Sequence, residues 1–211
     1  MSTKFFVVAL ATAVLSAKAM AAPGHFARPP DAAGAVAAPQ LDRAAVRARL
    51  ATARAANLAR FRAYQHKGVF PSNTYDDARL NVWRDRDGHL CAAATIIDAS
   101  GASDLVARVA QDDNFIRLAD VTDGPLLDWM LTSGFTQLEI SVIQEPFMNV
   151  SEPRDRQLVD ARARRAENQR LARTYAEVTR VLVAAEKESL DLATDRLMQH
   201  PELARHLVTA R

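Results

Sequence analysis

A thiol and an imidazole two positions apart, Cys91 and His89, are the residues of this chain with the most chemical potential. A thiolate becomes a nucleophile when a neighbouring base takes its proton. On a strand the two would share a face, but their backbones would stand about 6.6 Å apart. That is awkward for a direct hydrogen bond, and no third residue is placed by sequence to orient the imidazole. The spacing predicts a buried thiol beside a half-exposed histidine. Just upstream, Asp85-Arg86-Asp87-Gly88 has the look of half a calcium loop. An EF-hand needs oxygen ligands at its first, third and fifth positions, glycine at the sixth and glutamate at the twelfth. With Gly88 sixth, Trp83 falls first and Ala94 twelfth, so the loop fails and a tight turn is expected. His25, His66, His200 and His206 lack ligand spacing, and a second cysteine is missing. No metal and no cofactor are expected.

Asp120, Asp123, Asp128 and Glu139 crowd one region and could supply paired acids. Helix-capping and solvation explain them more simply. Glycine-cradled phosphate loops, Gly-x-Ser-x-Gly and His-Glu-x-x-His are all missing. Gly134 followed by Thr136-Gln137-Leu138-Glu139 superficially resembles a helix-turn-helix, but Glu145-Pro146 stands where the turn and recognition helix belong. Asn149-Val150-Ser151 is a glycosylation sequon, read as a chance match.

Several of these residues lie between Leu80 and Phe147, which also holds both tryptophans and four of the seven glycines. That stretch is expected to be a small globular core. Lys4, the eleven-residue apolar run Phe5 to Leu15 and Ala19-Met20-Ala21 have the pattern of a secretory signal cut near Ala21. They predict an exported protein, periplasmic or extracellular, with no transmembrane segment in the mature chain. Residues 22–40, with four prolines and two glycines, read as a linker.

From Asp42, an N-cap, a helix is predicted to Lys67 and to end at Gly68. Its inward stripe is expected to be Val46, Leu50, Ala53, Phe61 and Tyr64, and it carries a net charge of +6. Leu80 to Arg84 and His89 to Ile97 are expected to form a small hairpin, although Ala92-Ala93-Ala94 could begin a helix instead. Ser103 is expected to cap a short helix, and Pro125 to open another that Gly134 ends. Thr136 and Glu139 spell a capping box, with Phe135 and Ile140 as its hydrophobic staple. From Ser151 an unbroken helix is expected to Gln199. Its seam is Leu171, Tyr175, Val178, Leu182, Ala185, Ser189 and Leu192, at coiled-coil-like spacing. Such a helix would be about 70 Å long at 1.5 Å per residue, so it must kink, fold back or pair with another chain. Pro201 starts a last short helix.

The fold class expected is therefore mainly α, with one small β-hairpin, a long C-terminal helix and an N-terminal helical arm. Charge separates along it: residues 41–67 carry +6 and residues 68–150 carry −8. The arm is expected to lie on the acidic core. With Lys4 and Lys18 removed, the mature chain balances at zero, which argues against nucleic acid as a partner. The expected function is binding, as an exported scaffold or chaperone-like envelope protein without catalysis. A protein partner or self-association would use Arg43, Arg47, Arg54, Tyr175, Val178 and Leu182 as the contact surface. The alternatives are a secreted hydrolase using the core carboxylates or Cys91 and His89, and a protein that lies on membrane surfaces through the 41–67 helix.

Overall fold

One basic helix makes the most packing contacts among the described residues. The computed structural model describes residues 41–210; the expected signal and linker lie outside the described residues. The elements are α1 (Arg43–Lys67), α2 (Ala92–Ala99), α3 (Ser103–Asp112), a 3-10 turn at Leu118–Asp120, α4 (Gly124–Thr132), α5 (Gln137–Ile143), α6 (Ala161–Ala184), α7 (Glu186–Met198) and α8 (Pro201–Thr209). The fold is mainly α. Helix α1 packs against α2, α6, α7 and α8. Among the described residues no helix is long and apolar enough to cross a membrane.

Helix α1 begins and ends where its caps require. The Asp42 carboxylate accepts from Ala44 N–H, and Gly68 takes the left-handed conformation at φ 63°. Its buried stripe differs from the expected one. Val46, Leu50, Phe61 and Tyr64 are buried, but Arg54 and Asn57 are buried with them, and Ala53 is not. A ring cluster closes its C-terminal half: Phe61, Tyr64 and Phe70 surround Tyr175 with centroids 5.5–5.7 Å away. Edge and tilted aromatic contacts of this kind add to the area they bury.

The hairpin shrinks to a single antiparallel bridge between Arg84 and Leu90. Leu80 to Arg84 spreads its backbone bonds over three segments instead. Leu80 exchanges bonds with Phe147, Trp83 N–H donates to Asn114, and Cys91 N–H donates to the Trp83 carbonyl. The returning chain turns helical at Ala92. Three alanines favour helix, and Cys91 Sγ accepts from Ala94 N–H at 3.4 Å as an N-cap. Ser103 proves to be the first residue of α3 and not its cap, a position held by Ala102 with no side-chain bond.

The C-terminal segment differs most. Ser151 does not cap a helix: it bridges to Val159, and α6 starts only at Ala161 behind the Asp160 cap, which accepts from Ala163 N–H at 2.6 Å. The helix then breaks at Ala185, where φ is −89° and ψ 3°. Beyond the break Ser189 still faces inward, but Leu192 is exposed. The regular spacing therefore loses its register there. The seam packs into this chain's own core, since Leu171, Tyr175, Val178 and Leu182 are buried with α1. The kink answers the length problem of a continuous helix within one molecule.

Candidate functional site

The corner between α4 and α5 forms as its sequence predicts. Thr136 Oγ1 accepts from Glu139 N–H, and the Glu139 carboxylate accepts from Thr136 N–H at 2.8 Å, with Phe135 and Ile140 buried across the cap. The structure gives Glu139 a second task. Arg54 reaches it from α1 with two parallel bonds, 2.9 and 2.7 Å. The same guanidinium donates to the carbonyls of Gly134 at 3.1 Å and Leu182 at 2.7 Å, and stacks 4.9 Å over the Phe135 ring. One arginine thus ties α1, the α4–α5 corner and the end of α6. Burial would raise the Glu139 pKa; donors from Arg54, Thr136 and Ser189 and the Arg54 charge outweigh it and hold the carboxyl below its usual range.

Gly134 is what lets these elements approach. Its φ is 80°, and a β-carbon there would sit 2.2 Å from the Leu50 carbonyl oxygen and 2.6 Å from Arg54 N. Glycine is required by contact as well as by conformation.

The residues named as a contact surface therefore divide. Arg54 and Tyr175 are buried inside the chain and form no outer surface, whereas Val178 and Leu182, though largely buried, line the floor of a cleft between α5 and the α6–α7 break. An apolar 4-3 stripe is inward by nature, and the first surface it meets is α1 of the same chain. Arg43 and Arg47 do stand at the surface, but they pair with Asp195 and Asp191 of α7 at 2.7 Å. Arg49 donates to the Val208 and Ala210 carbonyls at the end of α8, and Arg60 to the Ala99 carbonyl at the end of α2. Cations at helix C-termini are favourable. Three of the arm's seven cations pair with carboxylates, two of them on α7 and only Glu139 in the 68–150 segment, so the arm does not rest mainly on the acidic core as expected. Its apolar face lies in the core, which leaves none for a membrane.

The residues of catalytic interest do not assemble into a nucleophilic site. Cys91 is fully buried, and burial pushes its thiol up to about 12, opposite to what a nucleophile needs. His89 does gain an orienting acid that the sequence did not reveal: Asp85 Oδ2 lies 3.0 Å from its Nδ1.

What the sequence reading missed is an apolar groove. Of the eight large hydrophobic side chains that remain exposed, Leu138 (73%), Leu192 (57%), Val181 (52%) and Val142 (45%) line a single cleft of about 390 Å³ between α5 and the α6–α7 break. A second cleft of about 490 Å³, floored by Met130, Leu131 and Phe135, adjoins it and shares Leu138, Leu192 and Thr136. Of the carboxylates on the walls, Glu139, Glu177 and Asp195 pair with Arg54, Arg180 and Arg43, and Glu188 has no salt-bridge partner among the described residues. Val178 and Leu182, expected as contact residues, line this cleft, and two further signals in sequence pointed here: Leu138 beside the capping box, and Leu192 at the end of the seam. Both looked like core positions. Protein-family models, curated proteins and solved structures give no match to this chain, so its site is read from geometry alone.

Proposed function

We propose that this protein is exported and works by binding another polypeptide, in a scaffold or chaperone-like role, with the α5/α6–α7 groove as its receptor surface. The observation that carries this reading is the convergence of Leu138, Val142, Val181 and Leu192 on one cleft. Single exposed apolar residues are ordinary, but a contiguous set in a concave wall marks a contact surface. The occupant is an amphipathic helix with basic flanks. The walls are helices whose backbone groups bond internally, so they offer no edge to an added strand. A helix brings its own satisfied backbone and needs only apolar anchors at i, i+3 or i+4 and i+7. Glu188 at the rim, with Glu177 and Asp195 held only in exposed pairs that can exchange partners, favours lysine and arginine outside those anchors. The export half of the reading rests on the sequence pattern of residues 1–21.

Fluorescence anisotropy with a labelled leucine–lysine amphipathic helical peptide tests the groove. Wild-type protein binds it at micromolar concentration, and more weakly at high salt. Combining Leu138→Asp with Leu192→Asp weakens binding at least tenfold while helical circular dichroism stays unchanged. Absence of binding, an unaltered affinity in the double variant, or sedimentation showing the groove closed in a dimer of this chain would overturn the proposal. A hydrolase makes the opposite prediction elsewhere: Cys91→Ala would abolish an activity, whereas here it changes only stability.

A further inference from the structure

The turn at residues 85–89 has features that the groove does not use. Asp85, Asp87 and His89 each offer a ligand atom, and the three atoms lie within 4.8 Å of one another. The turn is fixed by its buried aspartate. Asp85 Oδ1 accepts from Asp87 N–H at 3.0 Å and His89 N–H at 2.8 Å, while Oδ2 accepts from Ser72 N–H at 2.9 Å and meets His89 Nδ1 at 3.0 Å. An independent observation lies next to it. Ser72 and Thr74 are each only 5% exposed, and neither hydroxyl has a hydrogen-bond partner among the described residues. Both side chains line a cavity of about 220 Å³ whose wall also includes Asp85, Arg86 and Asp87. Native interiors rarely leave buried hydroxyls unpaired, and an ion with its waters is a common reason for apparent exceptions.

We infer that this turn binds one divalent transition cation of the zinc class. Asp85, Asp87 and His89 are its protein ligands, and water held by Ser72 and Thr74 completes the shell. Three of the four acceptor positions of Asp85 are taken by backbone N–H groups, so the exchangeable one is the contact with His89. The ion enters between Asp85 Oδ2 and the imidazole, and the ring proton moves to Nε2. Their 3.0 Å separation is close to the edge of about 3.4 Å in a tetrahedron with bonds near 2.1 Å. An imidazole among two carboxylates selects zinc over calcium, which takes oxygen ligands. Arg86 opposes the ion from the same cavity wall, its guanidinium carbon 5.1 Å over the Tyr75 ring. Gln157, Leu158 and Val159 complete that wall, so an ion here would brace the loop before α6.

Zinc titrated calorimetrically into the purified, chelator-stripped full chain is expected to bind once, at micromolar concentration or tighter. Manganese follows more weakly, and calcium gives no heat. Asp87→Asn and His89→Ala each weaken zinc binding at least tenfold, and Arg86→Ala strengthens it severalfold. Nitrogen NMR of His89 reports the tautomer moving to Nε2–H. Asp87 is exposed and His89 half-buried, so circular dichroism of either variant should match wild type. Absence of zinc binding, or zinc binding that survives both substitutions, overturns the inference; so does calcium binding as well as zinc.

Discussion

The middle of α1 and its N-terminal end use the same residue type for different purposes. Arg54 is enclosed, bonded twice to Glu139 and once each to Gly134 and Leu182. Arg43 and Arg47 each hold an aspartate of α7 in open solvent. A guanidinium removed from water must have its charge and donors answered, and a five-donor planar fork can bond several elements at once. At the surface water competes for both partners and the pair is worth little. The comparison teaches that the basic arm is held by its enclosed arginine and apolar stripe, while its outer ion pairs add little.

The sharpest way to break the enclosed middle is Gly134→Ala. The added methyl meets the α1 backbone and fixes an unfavourable φ, together costing about 3 kcal/mol or more; thermal melts should show a large loss or failure to fold. Next comes Arg54→Ala, which leaves Glu139 buried without its partner, at about 3–5 kcal/mol by urea unfolding. Arg54→Met combined with Glu139→Leu should recover much of that loss, because the desolvated charges go together. A pH series sharpens the contrast further. The Glu139 carboxyl is held lower in the folded protein than in the unfolded chain, so its contribution is present above the ordinary glutamate value of about 4.3. It is lost as pH falls through the folded value. Glu139→Gln should flatten this acid limb. Asn57→Ala, which removes the donor to the Ser133 carbonyl, should cost about 1–2 kcal/mol. Smallest of all, Arg43→Ala and Asp191→Asn should leave melting within replicate scatter, and any effect should vanish in salt.

Some local signals in this sequence appear where they were expected because bonds within a few residues produce them, whereas the caps expected at Ser103 and Ser151 do not form. Asp42, Gly68, Thr136 with Glu139, and the turn at Gly88 act through bonds within a few residues, and each appears where it was read. The start of α6 was misread because Ser151 can cap a helix or end a bridge, and only its partner Val159 chooses. The hairpin was misread for a similar reason. Leu80 to Arg84 alternates like a strand, but Phe147 and Asn114 supply the bonds that a second strand would have given. The groove was hidden because periodicity marks an inward face without saying where a helix breaks; no glycine or proline announces Ala185.

The sequence alone determined the mainly helical class, the caps at Asp42, Gly68 and Thr136, the excess charge of α1 and the tight turn at Gly88. Spacing along the chain carries such properties, whether a neighbour is present or absent. Tertiary structure decided that Arg54 faces inward, that Gly134 touches α1, that Leu138 and Leu192 share a cleft, and that Ser72 and Thr74 stand beside Asp85. Each of these joins residues distant in sequence. Burial and charge pairing act through space, and the same arginine is a solvated surface charge or an interior tie according to what the fold sets against it.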